Sequence, residues 1–212
     1  MWYNCGMKVV NSIFKSIIAV FLMVVIAVAY LPFCLLFPIK IHGKKNLKVI
    51  KGGAVVACNH FSNLDPIVLK VRLFFNGFTN SFLGKIEVNK FKPVGWFLSC
   101  FGIIYIDRAK IDRNAMREVD KALKKGKKVI VFPEGTRNKT GSTDLQAVKS
   151  GVVFFAKKAS VPILPIRINK KPRLFRMTHI YIGEAYNTGD SGELSTAEEV
   201  CRLEGKMNSL IK

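Results

Sequence analysis

Acidic residues are scarce in this 212-residue chain: 14 Asp and Glu stand against 34 Lys and Arg, a net charge of +20. So basic a chain seeks anionic partners, either nucleic acid, anionic lipid headgroups or acidic substrates. Histidine is rarer still. His42, His60 and His179 are the only three, with no H-E-x-x-H and no Cys/His cluster, so no metal site is signposted. No G-x-x-x-x-G-K-[ST] is present to cradle nucleotide phosphates, which excludes an ATPase of that class. No G-x-S-x-G elbow announces a serine acyl-enzyme. The five cysteines (Cys5, Cys34, Cys58, Cys100, Cys201) are odd in number and lack any C-x-x-C spacing. They read as reduced, mostly buried thiols in a reducing compartment. Internal repeats and low-complexity tracts are absent. The basic residues are not interleaved with aromatics, and no helix-turn-helix or zinc-finger pattern occurs, which excludes a nucleic-acid binder.

Apolar residues, by contrast, make up half the chain. Together with the charge they favour the lipid option among the anionic partners. Residues 16–39, SIIAVFLMVVIAVAYLPFCLLFPI, carry no charge, and an apolar run of this length crosses a bilayer core as a helix. It comes too late and runs too long for a cleaved signal peptide. Pro32 marks a kink or an end. Lys8 and Lys15 precede the run, and Lys40, Lys44, Lys45, Lys48 and Lys51 follow it. The heavier following cluster favours a cytoplasmic C-terminal side; cations on both flanks also fit a helix that enters and returns or lies in one leaflet. The alternative to a membrane segment is a buried core helix. The expected division is a membrane-associated segment over 1–45 and one folded domain over 46–212, with 40–53 as a basic linker.

Strand and helix patterns alternate after that linker. Strands are expected at 54–58, 81–83, 103–106, 128–132, 162–168 and 179–182. Pro165 places its strand at an edge or a bulge. Helices are expected at 67–75, with Asp65 as cap and Pro66 at the first position, and at 93–101, 112–125 and 150–159. Ser195-Thr196-Ala197-Glu198 is a capping box for a last helix. The class is therefore α/β, with a mixed, mostly parallel sheet flanked by helices. Trp96, in the apolar 93–101 helix, fits either the core or a membrane interface.

Two segments that follow apolar strands carry chemistry. In Asn59-His60-Phe61-Ser62-Asn63-Leu64-Asp65, a histidine precedes a carboxylate by five residues. If the chain folds the two together, Asp65 fixes the tautomer of His60 and stabilises its imidazolium, making His60 a general base. In Phe132-Pro133-Glu134-Gly135-Thr136-Arg137, a glycine turn presents a guanidinium suited to phosphate. Arg108, after the 103–106 strand, is a second phosphate candidate. Alternatively, the two segments are a loop histidine with a helix-capping acid, and a turn with a solvated arginine.

Four blocks in order resemble the glycerolipid acyltransferase family, which includes 1-acylglycerol-3-phosphate acyltransferases. They are the two segments above, Gly102-Ile103-Ile104-Tyr105-Ile106-Asp107-Arg108, and Val161-Pro162-Ile163-Leu164-Pro165-Ile166. Lys149 and Gly151 sit where the family often has a Lys-x-Gly step, and Asn138 stands where a Ser is common. The resemblance implies a glycerol-3-phosphate-acyltransferase-like fold. It implies His60 and Asp65 as the catalytic pair, and Arg108, Glu134, Gly135, Thr136, Arg137 and Lys149 as ligands of an acceptor phosphate. Pro165 would shape the acyl-donor side. The implied reaction moves a fatty acyl group from acyl-CoA or acyl carrier protein to lysophosphatidate at an anionic membrane surface, cytoplasmic side, with no metal or other cofactor. Another acceptor, or a non-catalytic lipid-binding role, are the alternatives.

Overall fold

The computed structural model describes residue 28 and residues 32–74, 80–85, 102–107, 112–140, 142–190 and 192–211. Strand β2 (Ala54–Cys58) is fully buried. Ala54, Val56 and Cys58 enter one apolar cluster and Val55 and Ala57 another, on opposite faces, as the two-residue period requires. A strand apolar on both sides belongs in the middle of a covered parallel sheet. There it pairs in parallel with β5 (Lys128–Val131) and β6 (Ile163–Ile168).

Among the described residues the sheet has seven strands. Beyond β5, parallel pairing continues through β3 (Asn80–Lys85) to the edge strand β4 (Ile103–Ile106). Beyond β6 comes β7 (Thr178–Ile182), antiparallel to it, and then β1 (Ile39–His42), parallel to β7 at the other edge. Thus the order is β1-β7-β6-β2-β5-β3-β4, mixed and mostly parallel.

Helix α1 (Lys45–Lys48) is a single turn. Helix α2 (Asp65–Phe74) covers one face with Val68, Leu69 and Leu73. Helices α3 (Arg113–Lys124), α4 (Gly151–Ala159) and α5 (Thr196–Asn208) cover the other, through Val119, Leu123, Val152, Ala156, Leu203 and Met207. The Asp112 side chain caps α3 by accepting the Ala115 N–H at 3.0 Å. The expected capping box of Ser195 and Glu198 is formed in full at α5.

Two local expectations are corrected and a third is narrowed. Residues 40–53 are not merely a linker. Ile39, buried against the core, begins a strand that covers the edge of β7, and the turn α1 buries Leu47. Asp65 does not cap α2; its carboxylate turns back onto the preceding loop, for reasons given below. Pro165 is not on an edge, since β6 has a neighbour on each side. The bulge is real, however. Ile166 opposes Ile182 but Ile163 opposes Tyr186, so one extra residue is inserted on the far side. The Pro165 carbonyl accepts the Gly183 N–H at 2.9 Å. Its missing N–H thus falls where β7 leaves the ladder, where no bond is lost.

Residues 32–36 are helical, and among the described residues no helix is long and apolar enough to cross a membrane. Most of the 16–39 run, the 93–101 helix with Trp96, and Arg108 lie outside the described residues.

Candidate active site

β2 and β5 are adjacent and parallel, with Ala57 opposite Val131. Three residues past each partner come His60 and Glu134, so the register alone brings the two motifs together at the carboxyl ends of the strands. This is where open α/β sheets gather their sites.

His60 is held on every side but one. Its N–H donates to Oε1 of Glu134 at 2.8 Å, and its carbonyl accepts the Asn138 N–H at 2.7 Å. Its ring stacks on Phe132 with centroids 4.1 Å apart. Nδ1 lies 2.9 Å from Oδ2 of Asp65. Facing a carboxylate acceptor, the neutral imidazole carries its proton on Nδ1 and its lone pair on Nε2. The His60 side chain is 16% exposed and Asp65 is fully buried, which leaves one edge of the ring open to an incoming group.

Asp65 owes its own placement to the loop. The same Oδ2 accepts the N–H groups of Phe61 at 2.6 Å and Ser62 at 2.7 Å. The 59–65 loop therefore wraps around the carboxylate, and the acid that the sequence assigns to the helix end is engaged by the histidine side instead. Asn59, buried at the end of β2, pairs both ways with the backbone of Ile168: Nδ2 donates to its carbonyl at 2.9 Å and Oδ1 accepts its N–H at 2.7 Å. This clamp fixes where the loop leaves the sheet.

In the third block, Glu134 is 4% exposed. Its second oxygen accepts the Gln146 N–H at 3.2 Å. Burial pushes its carboxyl above the usual glutamate range, against the pull of the two backbone donors and of Arg167. Arg167, likewise buried, donates to Asn208 Oδ1 at 2.8 Å and to the Thr143 carbonyl at 2.7 Å. Gly135 turns the chain at φ +73°. The Lys149 side chain lies across it, so close that a Cβ there would stand 2.9 Å from Nζ. Thr136 and Arg137 are exposed. Arg137 opens onto a cleft of about 570 Å³ whose lining includes Phe61, Lys139, Lys170, Lys171, Arg173 and Arg176, with no carboxylate among the described residues. Such a lining favours a phosphate-bearing ligand.

The structure thus brings His60, Asp65, Glu134, Gly135, Thr136, Arg137 and Lys149 together. It does not bring Pro165 to them. That residue is buried within β6, where its ring and the Leu210 side chain both lie against Gly183. Glu134 is turned inward as a brace for His60, and a carboxylate so engaged is no ligand for phosphate. The strand preceding Arg108, β4, is separated from β5 by β3 and is not its neighbour. Sequence reasoning missed Asn59, Phe132, Asn138 and Arg167. Arg167 could have been found as a charge inside the otherwise apolar strand ILPIRI. Asn138 stood out only as a departure from the usual serine, yet it also receives Thr140 and reaches the carbonyls of Ser142 and Asp144.

Comparison with known proteins gives matches in sequence and in structure. A family model described as Acyltransferase matches residues 38–169. A 1-acyl-sn-glycerol-3-phosphate acyltransferase of Bacillus subtilis is 28% identical over 82% of this chain and 86% of its own length. One of Saccharomyces cerevisiae is 31% identical over 64% of this chain, which spans only 44% of that protein. The crystal structure of the 1-acyl-sn-glycerophosphate acyltransferase of Thermotoga maritima superposes with a TM-score of 0.61 at 28% identity, covering 81% of this chain and 70% of that one.

Proposed function

Because this chain belongs to the acyltransferase family, we propose that it transfers a fatty acyl group from an acyl thioester to the free sn-2 hydroxyl of lysophosphatidate, giving phosphatidate. One observation carries the reading. His60 is oriented by Asp65 through Nδ1 at 2.9 Å and pinned through both backbone groups by the block that also bears Arg137. Base and phosphate-binding cation are thus parts of one rigid unit.

Nε2 of His60 takes the proton of the acceptor hydroxyl as its oxygen attacks the thioester carbonyl. Collapse of the tetrahedral intermediate expels the thiolate, which takes the proton back from the imidazolium and leaves as a thiol. No covalent enzyme intermediate and no metal or prosthetic group is needed. Asp65 holds the tautomer throughout. Arg137, with Lys149 beside Gly135, holds the acceptor phosphate, and Glu134 acts by positioning His60. Backbone N–H groups of the third block are candidates for the developing oxyanion. The donor is acyl-CoA or acyl carrier protein, both acidic and both suited to a +20 chain. The bilayer-borne acceptor and the uncharged 16–39 run favour a membrane location, and the lysine cluster that follows the run favours the cytoplasmic side for the catalytic domain.

The test is Arg137→Ala assayed on two acceptors, lysophosphatidate and the phosphate-free monoacylglycerol. Losing a charge-assisted contact should raise KM for lysophosphatidate by about 10–100-fold and leave the donor KM and the monoacylglycerol rate nearly unchanged. Equal losses on both acceptors would make Arg137 structural and remove the phosphate from the proposal.

A further inference from the structure

Residues 169–177 join β6 to β7 and take no part in the hydrogen bonding around His60. Their tip is a four-residue turn. Arg173 and Arg176 face each other across an antiparallel bridge, with the Arg176 N–H on the Arg173 carbonyl at 3.3 Å. Between them stand Leu174 and Phe175, 55% and 74% exposed, and Met177 follows at 46%. Phe175 has φ +56°, a region that glycine or asparagine enters readily and an aromatic residue seldom does. A turn that only reversed the chain would be easier to build with glycine. The large ring is thus held outward against local preference.

The turn is tied to the other apolar element of the chain. The Phe175 N–H donates to the Leu36 carbonyl at 2.7 Å, and the Thr178 N–H to that of Pro38 at 2.9 Å. Leu35 is exposed beside them in sequence, at the end of the uncharged run. Around the apolar tip sit Lys170, Lys171, Arg173 and Arg176, and no Asp or Glu occurs between Asp144 and Glu184. The same four cations line the cleft that reaches Arg137.

An apolar tip above a collar of cations repeats the layering of an anionic leaflet, acyl chains within and phosphates around. An acidic protein surface would match the collar but would leave three large apolar side chains unmatched. We infer that the 173–177 turn is a second membrane contact, with Leu174, Phe175 and Met177 inserted into an anionic leaflet and the four cations on lipid phosphates. The cleft then opens in the headgroup layer, where, on the proposed reaction, the acceptor phosphate arrives.

The test uses the full chain carrying F175W, with Trp2 and Trp96 replaced by Phe, reconstituted in phosphatidylglycerol–phosphatidylcholine vesicles with brominated acyl chains. Emission should be blue-shifted and quenched. Quenching should weaken when phosphatidylglycerol is omitted or when R173Q and R176Q are added. Water-like, unquenched emission overturns the inference. So does a change that appears only when soluble acyl carrier protein is added, since the turn would then dock a protein. No turnover is needed, so this result is independent of whether the acyl-transfer reading stands. As a second measure, L174S/F175S/M177S should lower the ratio of activity on vesicle-borne to micellar lysophosphatidate by about tenfold or more, given the apolar surface withdrawn from the leaflet. An unchanged ratio overturns the inference as well.

Discussion

Glu134 holds His60 by its backbone: Oε1 accepts the His60 N–H at 2.8 Å across 74 residues of chain. Its other oxygen accepts the Gln146 N–H, so the carboxylate joins the histidine loop of β2 to the arginine loop of β5. Asn138 closes the connection from the opposite side, on the His60 carbonyl. An acid that reads in the sequence as part of a ligand-binding turn is, in the fold, what holds the base in place.

Glu134→Gln keeps the shape but offers an amide group to one of two backbone donors, so one bond is lost; Glu134→Ala loses both. Hydrogen bonds to a charged acceptor are worth about 1.5–3 kcal/mol. The expected result is kcat lowered by roughly tenfold or more for the first variant and further for the second, with the acceptor KM little changed. A raised acceptor KM at constant kcat would place Glu134 on the substrate.

Asn59→Ala leaves the N–H and C=O of Ile168 without their partner in a buried position. A loss of about 2 kcal/mol or more is expected, read as a lower denaturation midpoint in detergent at unchanged slope. A midpoint equal to that of the wild type would show that the clamp adds nothing to the fold.

Gly135→Ala meets two obstacles. The backbone is at φ +73°, and the new methyl would press on the Lys149 side chain. The left-handed conformation disfavours a side chain by about 1–2 kcal/mol. Reduced stability and a raised KM for lysophosphatidate are expected together. If stability falls but KM does not move, Lys149 has no part in holding the acceptor.

Lys70 gives a pH dependence. Burial, with a smaller contribution from Lys127, lowers its pKa from 10.5 to about 8. A depressed folded-state pKa means that the folded protein binds fewer protons than the unfolded chain between pH 8 and 10.5. The stability tied to neutral Lys70 is therefore present above 10.5 and lost as pH falls through 8. Lys70→Met should stabilise the protein relative to wild type below pH 8, and that advantage should fade as pH rises to 10.5. A difference that stays constant across this range would mean that Lys70 titrates alike in both states.

Much of this was legible because it depends on local pattern. The apolar strand ends announced where His60 and Arg137 stand, and β2 and β5, buried on both faces, had to lie inside a sheet. What was not legible depends on pairing. The reach of Glu134 to the His60 N–H follows from β2 and β5 being neighbours in the Ala57–Val131 register, which no local pattern states. Asp65 before a proline has every local mark of a helix cap, and only the folded loop shows its carboxylate taken up by Phe61, Ser62 and His60. That Pro165 sits at a bulge and not at an edge was not legible for a related reason. A proline is tolerated inside a sheet where the neighbouring strand departs, and that departure at Gly183 is a tertiary event.

The central claim is that His60, oriented by Asp65, activates an acceptor hydroxyl. The most direct measurement is transfer to radiolabelled lysophosphatidate by the purified protein in detergent, with acyl-CoA and acyl carrier protein as donors in parallel, beside His60→Ala of matching circular dichroism. Phosphatidate from the wild type and a loss of ~10²-fold or more in the variant is the result expected. A variant that keeps most of its activity would contradict the assignment of the base, and with it the account of the site.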